Sequence, residues 1–361
     1  MSEIFIGLMS GTSADAIDAA AVDFSAANGL ALAATHSHPL SEELRARISD
    51  VSSGALDQLD DVKQLEVDLS IEFSHCTQEI INLLNDKPVA IGCHGQTVRH
   101  RPELGFTVQL ADGAIIAQST QTPVVVDFRS ADVALGGQGA PLVPAFHHEF
   151  FSSSSEDRAV VNIGGIANVT LLSSDGRVIG FDSGPGNTLM DRWIQLHQDN
   201  RWDHNGAWAK TGVVDEALLL SLQQDPYFSR KPPKSTGLEY FNLDWLNAFL
   251  KGDERACDVQ AALCALTAHA VTDDILEFLP EVKKIYLCGG GALNTQLKEL
   301  IQTKIERAEV STTADLGVDP KWVEAIAFAW LARQRINLQT ANLPEVTGAK
   351  KRSILGAVYL P

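Results

Sequence analysis

Ile4-Phe5-Ile6-Gly7-Leu8-Met9-Ser10-Gly11-Thr12-Ser13 decides the fold. Apolar residues suited to a short strand run straight into a turn of glycine and small hydroxyl residues. A second strand-like stretch, Ile17 to Phe24, follows at once, and a third, Leu30 to Thr35, comes after the Asn28-Gly29 turn signal. Strand, small-residue turn, strand, turn and strand read as an antiparallel meander. The same pattern begins again much later. Arg158 to Asn162 reads as a strand, Gly164-Gly165 as a tight turn and Ile166 to Leu172 as a strand. Asp175-Gly176 is a hairpin signal, and Val178 to Phe181 a further strand. Sequence identity between the two meanders is negligible, so the repeat is one of architecture.

Each meander leads into α/β sequence. After the first come helix-like periodicity from Ser41 to Asn85, a buried-strand pattern Val89 to Cys93, a helix near 113–118 and the strand Val124 to Val126. A Gly- and Pro-rich loop then runs from Asp127 to Pro144. After the second come helices near 187–200 and 258–279, the strand Lys284 to Cys288 and a helix from Asn294. The expected fold is α/β with two duplicated domains: residues 1–132 with the C-terminal 340–361, and residues 133–339. Phe151-Ser152-Ser153-Ser154-Ser155-Glu156 reads as a hinge or surface loop. Two domains that each open with a Gly-rich hairpin suggest a central cleft gripping a phosphate chain. The plainer alternative is two unrelated α/β domains that both contain hairpins.

Composition narrows the partners. The 361 residues are 45% hydrophobic and 20% charged, the balance of a folded globular chain. Lys and Arg number 28 against 46 Asp and Glu, a net charge of −18. Nucleic acid and anionic membrane are poor partners for such a surface. Any bound anion must be held locally by backbone amides, a metal or a few placed side chains. Five cysteines without a CxxC pair read as reduced thiols of a cytoplasmic protein. No apolar run approaches the roughly 18–20 residues that span a bilayer.

Several segments could carry chemistry. Ser10-Gly11-Thr12-Ser13-Ala14-Asp15 offers flexible backbone amides and three hydroxyls in one turn, and amide-lined concavities bind phosphate without basic side chains. Asn162-Ile163-Gly164-Gly165-Ile166-Ala167-Asn168 repeats that offer. Gly289-Gly290-Gly291-Ala292-Leu293-Asn294 follows a strand and opens a helix, which suits a nucleotide; tight strand–helix packing is its structural alternative. No GxxxxGK[ST] sequence occurs, which excludes a P-loop. In Gly180-Phe181-Asp182-Ser183-Gly184-Pro185-Gly186-Asn187, a strand end and stiff turn residues expose Asp182 as a candidate general base, while Asn187 fits the cap of the next helix. Glu324 lies in an apolar stretch and either reaches a site or joins an ion pair. Cys93-His94 is set aside as a nucleophile pair, because strand neighbours face opposite ways. His36-x-His38 and His147-His148 lack acidic or thiol companions at metal spacing.

Gly7 to Ser13, His94-Gly95-Gln96-Thr97, Phe128-Arg129-Ser130-Ala131-Asp132, Gly136 to Pro144, Asn162 to Asn168 and Gly180 to Asn187 occur in that order. Together they resemble the bacterial anhydro-N-acetylmuramic acid kinases over essentially the whole chain. The resemblance implies the actin/sugar-kinase fold, with two duplicated ribonuclease H-like domains around an ATP cleft. It also implies a cytoplasmic kinase that opens 1,6-anhydro-N-acetylmuramic acid with water and phosphorylates O6, in cell-wall recycling. On this basis Asp182 matches the catalytic base. Gly11, Thr12, Ser13, Ala14, Asp15, Ala16, Ile17 and Asp18 match the ATP-phosphate turn. Asn162, Gly164, Gly165, Gly289, Gly290, Gly291 and Asn294 are assigned to ATP, and Gln96, Arg129 and Glu324 to the sugar. Magnesium is expected with ATP, its protein ligand unassigned, and a homodimer is the family expectation. Ala16 departs from the family's glycine, so its φ is expected to be negative. The alternatives are a kinase of another sugar and a non-catalytic, actin- or chaperone-like ATP-binding protein.

Overall fold

The computed structural model describes residues 2–11, 14–27 and 29–361. Thr12 and Ser13 of the first turn, and Asn28 of the expected hairpin signal, lie outside the described residues. The chain separates into two compact units, Met1–Phe146 with Trp322–Pro361, and His147–Lys321. Its strands are β1 (Ile4–Ser10), β2 (Ala16–Asp23), β3 (Ala31–Pro39), β4 (Ala90–Cys93), β5 (Gln96–Arg101), β6 (Phe106–Leu110) and β7 (Val124–Val126). In the second unit are β8 (Arg158–Ile163), β9 (Ile166–Leu172), β10 (Val178–Pro185), β11 (Lys284–Cys288) and β12 (Glu309–Thr312), and β13 (Ala357–Tyr359) closes the chain in the first.

The main sheet of the first unit runs β13-β7-β4-β1-β2-β3. β1 pairs antiparallel with β2 and parallel with β4, and β4 pairs parallel with β7. The sheet of the second unit runs β10-β9-β8-β11-β12, with β8 antiparallel to β9 and parallel to β11. Labelled within each unit, both sheets share the order 3-2-1-4-5 with the same strand directions, and the first sheet adds β13 as a sixth strand antiparallel to β7. The architectural repeat expected from the two meanders is therefore present. Ala16 is a strand residue without positive φ, as expected for an alanine there; the positive φ falls on Ala14 instead, at 52°.

Glycine pairing explains how one helix lies against the first sheet. Gly7 of β1 and Gly92 of β4 are register partners. A Cβ on Gly7 would overlap the Ala325 carbonyl oxygen, and one on Gly92 would overlap that of Phe328. The Val323–Ile336 helix thus meets bare backbone, and Ala325 through Ala332 are buried without interruption. Leu65, Leu69 and Phe73 of the Leu59–Ile81 helix join Ile6, Leu8 and Ile91 of the sheet in one core.

Unit boundaries fall at 146/147 and 321/322, away from the expected 132/133 and 339/340, for two reasons. The Val323–Ile336 helix belongs to the first sheet through the glycine contact. The segment after residue 132 is held to the same unit by Asp132, which is fully buried. Its Oδ2 accepts from the Gly139 amide (2.8 Å), and its Oδ1 accepts from Asn342 Nδ2 (2.7 Å) and Thr347 Oγ1 (2.8 Å). The expected loop Asp127 to Pro144 accordingly contains a short helix, Ser130–Ala134. Residues 151–156 are not a boundary either: they join the Val143–Phe151 helix to β8 inside the second unit, where Arg158 ties back to the Phe151 carbonyl (3.1 Å) and Glu156 (2.9 Å).

The second core is organised by the Ala256–Phe278 helix, buried on most of its faces. Cys264 lies fully inside it and Cys257 is half-buried. The Thr295–Lys304 helix begins at Asn294, whose Oδ1 accepts from the Leu297 amide (3.0 Å). No helix among the described residues is long and apolar enough to cross a membrane.

Candidate active site

In the second unit three glycine-containing segments converge at the ends of β8, β10 and β11. The β8–β9 turn and the loop after β10 are laced together by backbone: Gly186 N–H donates to Gly165 O (2.9 Å), Asn187 N–H to Gly164 O (2.8 Å) and Thr188 N–H to Gly165 O (3.2 Å). Asn187 Nδ2 adds a bond to Ile163 O (3.2 Å), so its side chain bridges loops and makes no helix-cap bond, contrary to expectation. A Cβ on Gly186 would overlap Gly164 O, and one on Gly291 would overlap the Ile163 side chain. Gly289 adopts φ 75°, and a Cβ there would overlap Asn162 Oδ1. By contrast, a Cβ on Gly164 would meet nothing nearer than Ile166 O at 3.7 Å. Asn162, Gly164, Gly165 and Gly289 to Gly291 thus form one closely packed cluster, in which the Gly164 and Gly289 amides already donate to Ile166 O (3.1 Å) and Pro320 O (3.0 Å). Asn294 is also close by, but its side-chain oxygen serves as a helix cap.

Asp182 sits on β10 beside this cluster, where the register with β9 shifts between Asp182 and Gly184. A bulge re-aims side chains, which is why such irregularities collect near sites. The segment 227–236 holds the residue from three directions. Tyr227 Oη donates to Asp182 O (2.7 Å), Asp182 N–H donates to Lys234 O (3.2 Å), and the Thr236 amide donates to Asp182 Oδ2 (3.1 Å). Lys234 is itself buried, its Nζ donating to Asp274 Oδ1 (3.1 Å) and lying over the rings of Phe181 (5.1 Å) and Tyr227 (5.4 Å). Burial pushes the Asp274 carboxyl above the usual carboxylate range, opposed by the Lys234 charge, and pushes the Tyr227 phenol up as well. Nothing in the motif Gly180 to Asn187 pointed to these partners, which come from 40 and more residues downstream.

In the first unit, Gln96 links the β1 end to the β4–β5 connection. Its Oε1 accepts from Ser10 Oγ (2.6 Å) and its Nε2 donates to Gly11 O (3.3 Å). Gln96 is almost fully buried. The Ala14 amide donates to Gly11 O (3.0 Å), and among the described residues a Cβ on Gly11 would meet no atom within 4 Å. Asp15 pairs with Arg45 (3.2 Å). Ala16, Ile17 and Asp18 belong to β2; Ile17 is a core residue and Asp18 accepts from Ser37 Oγ (2.6 Å). The turn proper is therefore shorter than the matched motif.

Arg129 is built into the same unit. Its Nε and Nη2 both donate to His94 Nε2 (3.1 and 2.9 Å), and its Nη1 donates to Gly139 O (2.7 Å). Two donors on Nε2 leave the ring proton of neutral His94 on Nδ1. Burial, and then the Arg129 charge, push His94 well below the usual histidine value. Cys93 is a buried thiol raised to about 12 by desolvation, consistent with setting aside a Cys–His pair. Glu324 lies in the first turn of the Val323–Ile336 helix, half-buried, where the helix N-terminus favours a carboxylate. His38 does have an acidic companion, Glu72 at 2.6 Å, supplied by a distant helix. Among the described residues no three His, Cys, Asp or Glu side chains are grouped to hold a metal. The sequence reading quoted His94 within a motif but set it aside as a nucleophile partner, and it missed Tyr227, Lys234, Thr236 and Asp274, which no motif marks.

Two helix-covered sheets of order 3-2-1-4-5, with Gly-rich turns at the strand ends, define the class of duplicated ribonuclease H-like proteins that includes actin and the sugar kinases. The family model for anhydro-N-acetylmuramic acid kinase matches residues 3–361, and the chain belongs to that family. It is 46% identical over 360 residues to the anhydro-N-acetylmuramic acid kinase of Nitrosomonas europaea, covering 98% of this chain and 99% of that one. It is 45% identical to the enzyme of the same name from Saccharophagus degradans, covering 99% of each. Component A of (R)-2-hydroxyglutaryl-CoA dehydratase from Acidaminococcus fermentans is 11% identical, with a TM-score of 0.47 over 91% of this chain and 96% of that one.

Proposed function

We propose that this protein is an ATP-dependent kinase that opens 1,6-anhydro-N-acetylmuramic acid with water and phosphorylates the freed O6, as a step of cell-wall recycling. The observation that carries the reading is Asp182: a carboxylate at a β-bulge beside a cluster of bare backbone, locked through its amide, its carbonyl and one carboxylate oxygen. A general base has to be positioned before its proton affinity matters. The anhydro-sugar has no O6 hydroxyl, because that oxygen is bonded to the anomeric carbon. Asp182 takes a proton from water as the water oxygen bonds to that carbon. The bond from the anomeric carbon to O6 breaks, O6 bonds to the γ-phosphorus, and ADP leaves.

In the second unit we assign phosphate contacts to Gly164, Gly165 and Gly289 to Gly291, with Asn162 beside them, because backbone amides without side chains admit close approach. In the first unit we assign the Gly11–Asp15 turn to phosphate, and Gln96, Arg129 and Glu324 to the sugar. Charged donors such as Arg129 suit the carboxylate of a muramic acid. Magnesium characteristically keeps several waters and binds through phosphates plus one or two carboxylates, so it needs no group of three or more His, Cys, Asp or Glu, and none is found among the described residues.

Turnover in oxygen-18 water tests the reading. The label is expected at the anomeric hydroxyl of N-acetylmuramic acid 6-phosphate and absent from its phosphate. Asp182→Asn is expected to lose about 10²–10⁴-fold in turnover, with ATP and sugar binding kept within a few fold. Label in the phosphate, or near-normal turnover of the variant, overturns it.

A further inference from the structure

We propose that the buried Lys234–Asp274 pair and Tyr227 are positioning residues for Asp182, and that they act by pinning the segment 227–236 over it. The inference rests on the reading of Asp182 as the base. Lys234 and Asp274 side chains are 2% and 8% exposed, far below what charged side chains normally accept. A buried ion pair gives little net stability, because desolvation offsets most of its attraction. Its location suggests what it does. Asp274 lies on the Ala256–Phe278 helix, which is buried on most of its faces in the core of the second unit, whereas Lys234 lies in a segment without regular structure. The pair therefore ties an irregular segment to the rigid centre of the unit.

That segment delivers three hydrogen bonds to one residue. Tyr227 Oη and the Lys234 carbonyl fix the main chain of Asp182, and the Thr236 amide fixes Oδ2. The Lys234 ammonium also lies between the faces of Phe181, which precedes Asp182, and Tyr227. Cation, carboxylate, phenol and amide form one continuous chain of contacts that ends on the carboxylate of the base. Misplacing a catalytic group by about 1 Å can cost on the order of 10²-fold in rate.

Tyr227→Phe removes one oxygen and Lys234→Met removes one charge at nearly constant shape. Each is expected to lower kcat with ATP and anhydro-sugar by at least about 10-fold, with both KM values within about three-fold of the parent. In an Asp182→Asn background neither is expected to lower turnover further, because both act through that carboxylate. Unchanged kcat per folded molecule, KM values that rise while kcat holds, or the same fold-loss in the Asp182→Asn background would overturn the proposal. Near-normal turnover of Asp182→Asn alone overturns the base assignment and this proposal with it. If Asp182→Asn is inactive while Tyr227→Phe turns over normally, the positioning role fails and the base assignment stands. Should Lys234→Met not fold, Tyr227→Phe decides.

Discussion

Two glycines a short way apart should respond in opposite ways to the same methyl group. At Gly186 a Cβ overlaps the Gly164 carbonyl oxygen and stands 2.9 Å from Ile166 C and 3.0 Å from Ala167 N, all backbone that cannot rotate away. Accommodation means separating the β8–β9 turn from the loop after β10. That puts at risk the bonds from Gly186, Asn187 and Thr188 to Gly164 and Gly165. Overpacking typically costs about 1–3 kcal/mol, and each lost hydrogen bond about 1 kcal/mol. Gly186→Ala is therefore expected to destabilise the second unit by roughly 3 kcal/mol, or about 6–12 °C in Tm for a body of 150–250 residues. At Gly164 a Cβ has its nearest neighbour at 3.7 Å, and φ lies outside the left-handed region. Gly164→Ala should hold or slightly raise stability, by up to about 1 kcal/mol. If the turn receives phosphate, the methyl occupies the approach. Losing one charge-assisted bond of about 1.5–3 kcal/mol weakens ATP binding roughly 10- to 150-fold. Thermal unfolding and calorimetric ATP titration of the two variants separate the effects. A Gly186→Ala protein as stable as the parent refutes the packing argument, and unchanged ATP affinity in Gly164→Ala refutes the phosphate assignment.

Further outcomes can be measured in the same preparations. Asp132→Ala strips the acceptor from Gly139, Asn342 and Thr347; a loss of about 3–5 kcal/mol in denaturant unfolding is expected for a buried network cut on one side. Glu324→Gln should raise the sugar KM about 10-fold or more with Tm nearly unchanged; a lower Tm at constant KM would make Glu324 a structural ion-pair member. Acid should weaken both units near pH 6. His147 is lowered to about 3 by burial and His94 well below its ordinary value near 6.5, so below pH 6.5 the unfolded chain binds protons the folded one does not. Stability is then complete above about pH 6.5 and falls by about 1.4 kcal/mol per pH unit for each histidine on acidification. Equal denaturant midpoints at pH 7.5 and 5.5 would contradict this.

What could be read in advance was what local sequence determines. Val124–Val126 and Lys284–Cys288 are strands with the bounds expected of them, because short β-branched and apolar runs between breakers leave few alternatives. β5, by contrast, carries Gln96, Arg99, His100 and Arg101, and its hairpin with β6 went unrecognised because it lacks a hydrophobic alternation to mark it. The unit boundaries were misplaced because they depend on bonds such as Asp132–Thr347, between residues more than 200 positions apart. The candidate site divides in the same way. The Gly-rich turns are written in consecutive residues and were visible. The clamp on Asp182 is assembled from Tyr227, Lys234, Thr236 and Asp274, none of which announces itself by type or spacing. Asn187 shows the reverse error, since a residue type suited to capping was used to bridge two loops.

The first unit is interrupted: Val323–Ile336, lying on Gly7 and Gly92, is separated from both by the whole of the second unit. On the ribosome, β1 and β4 emerge long before the helix that covers them has been made. Chains grow at about 5–20 residues per second, so the roughly 230 residues between Gly92 and Val323 take on the order of 10–50 s to synthesise. During that interval one face of the sheet presents its glycine backbone without its cover, while residues 147–321 are synthesised as one continuous stretch. Synthesis of the Val323–Ile336 helix is therefore the step at which the first-made strands gain their cover. Nascent chains stalled before residue 322 should keep the first unit protease-sensitive while the second becomes resistant.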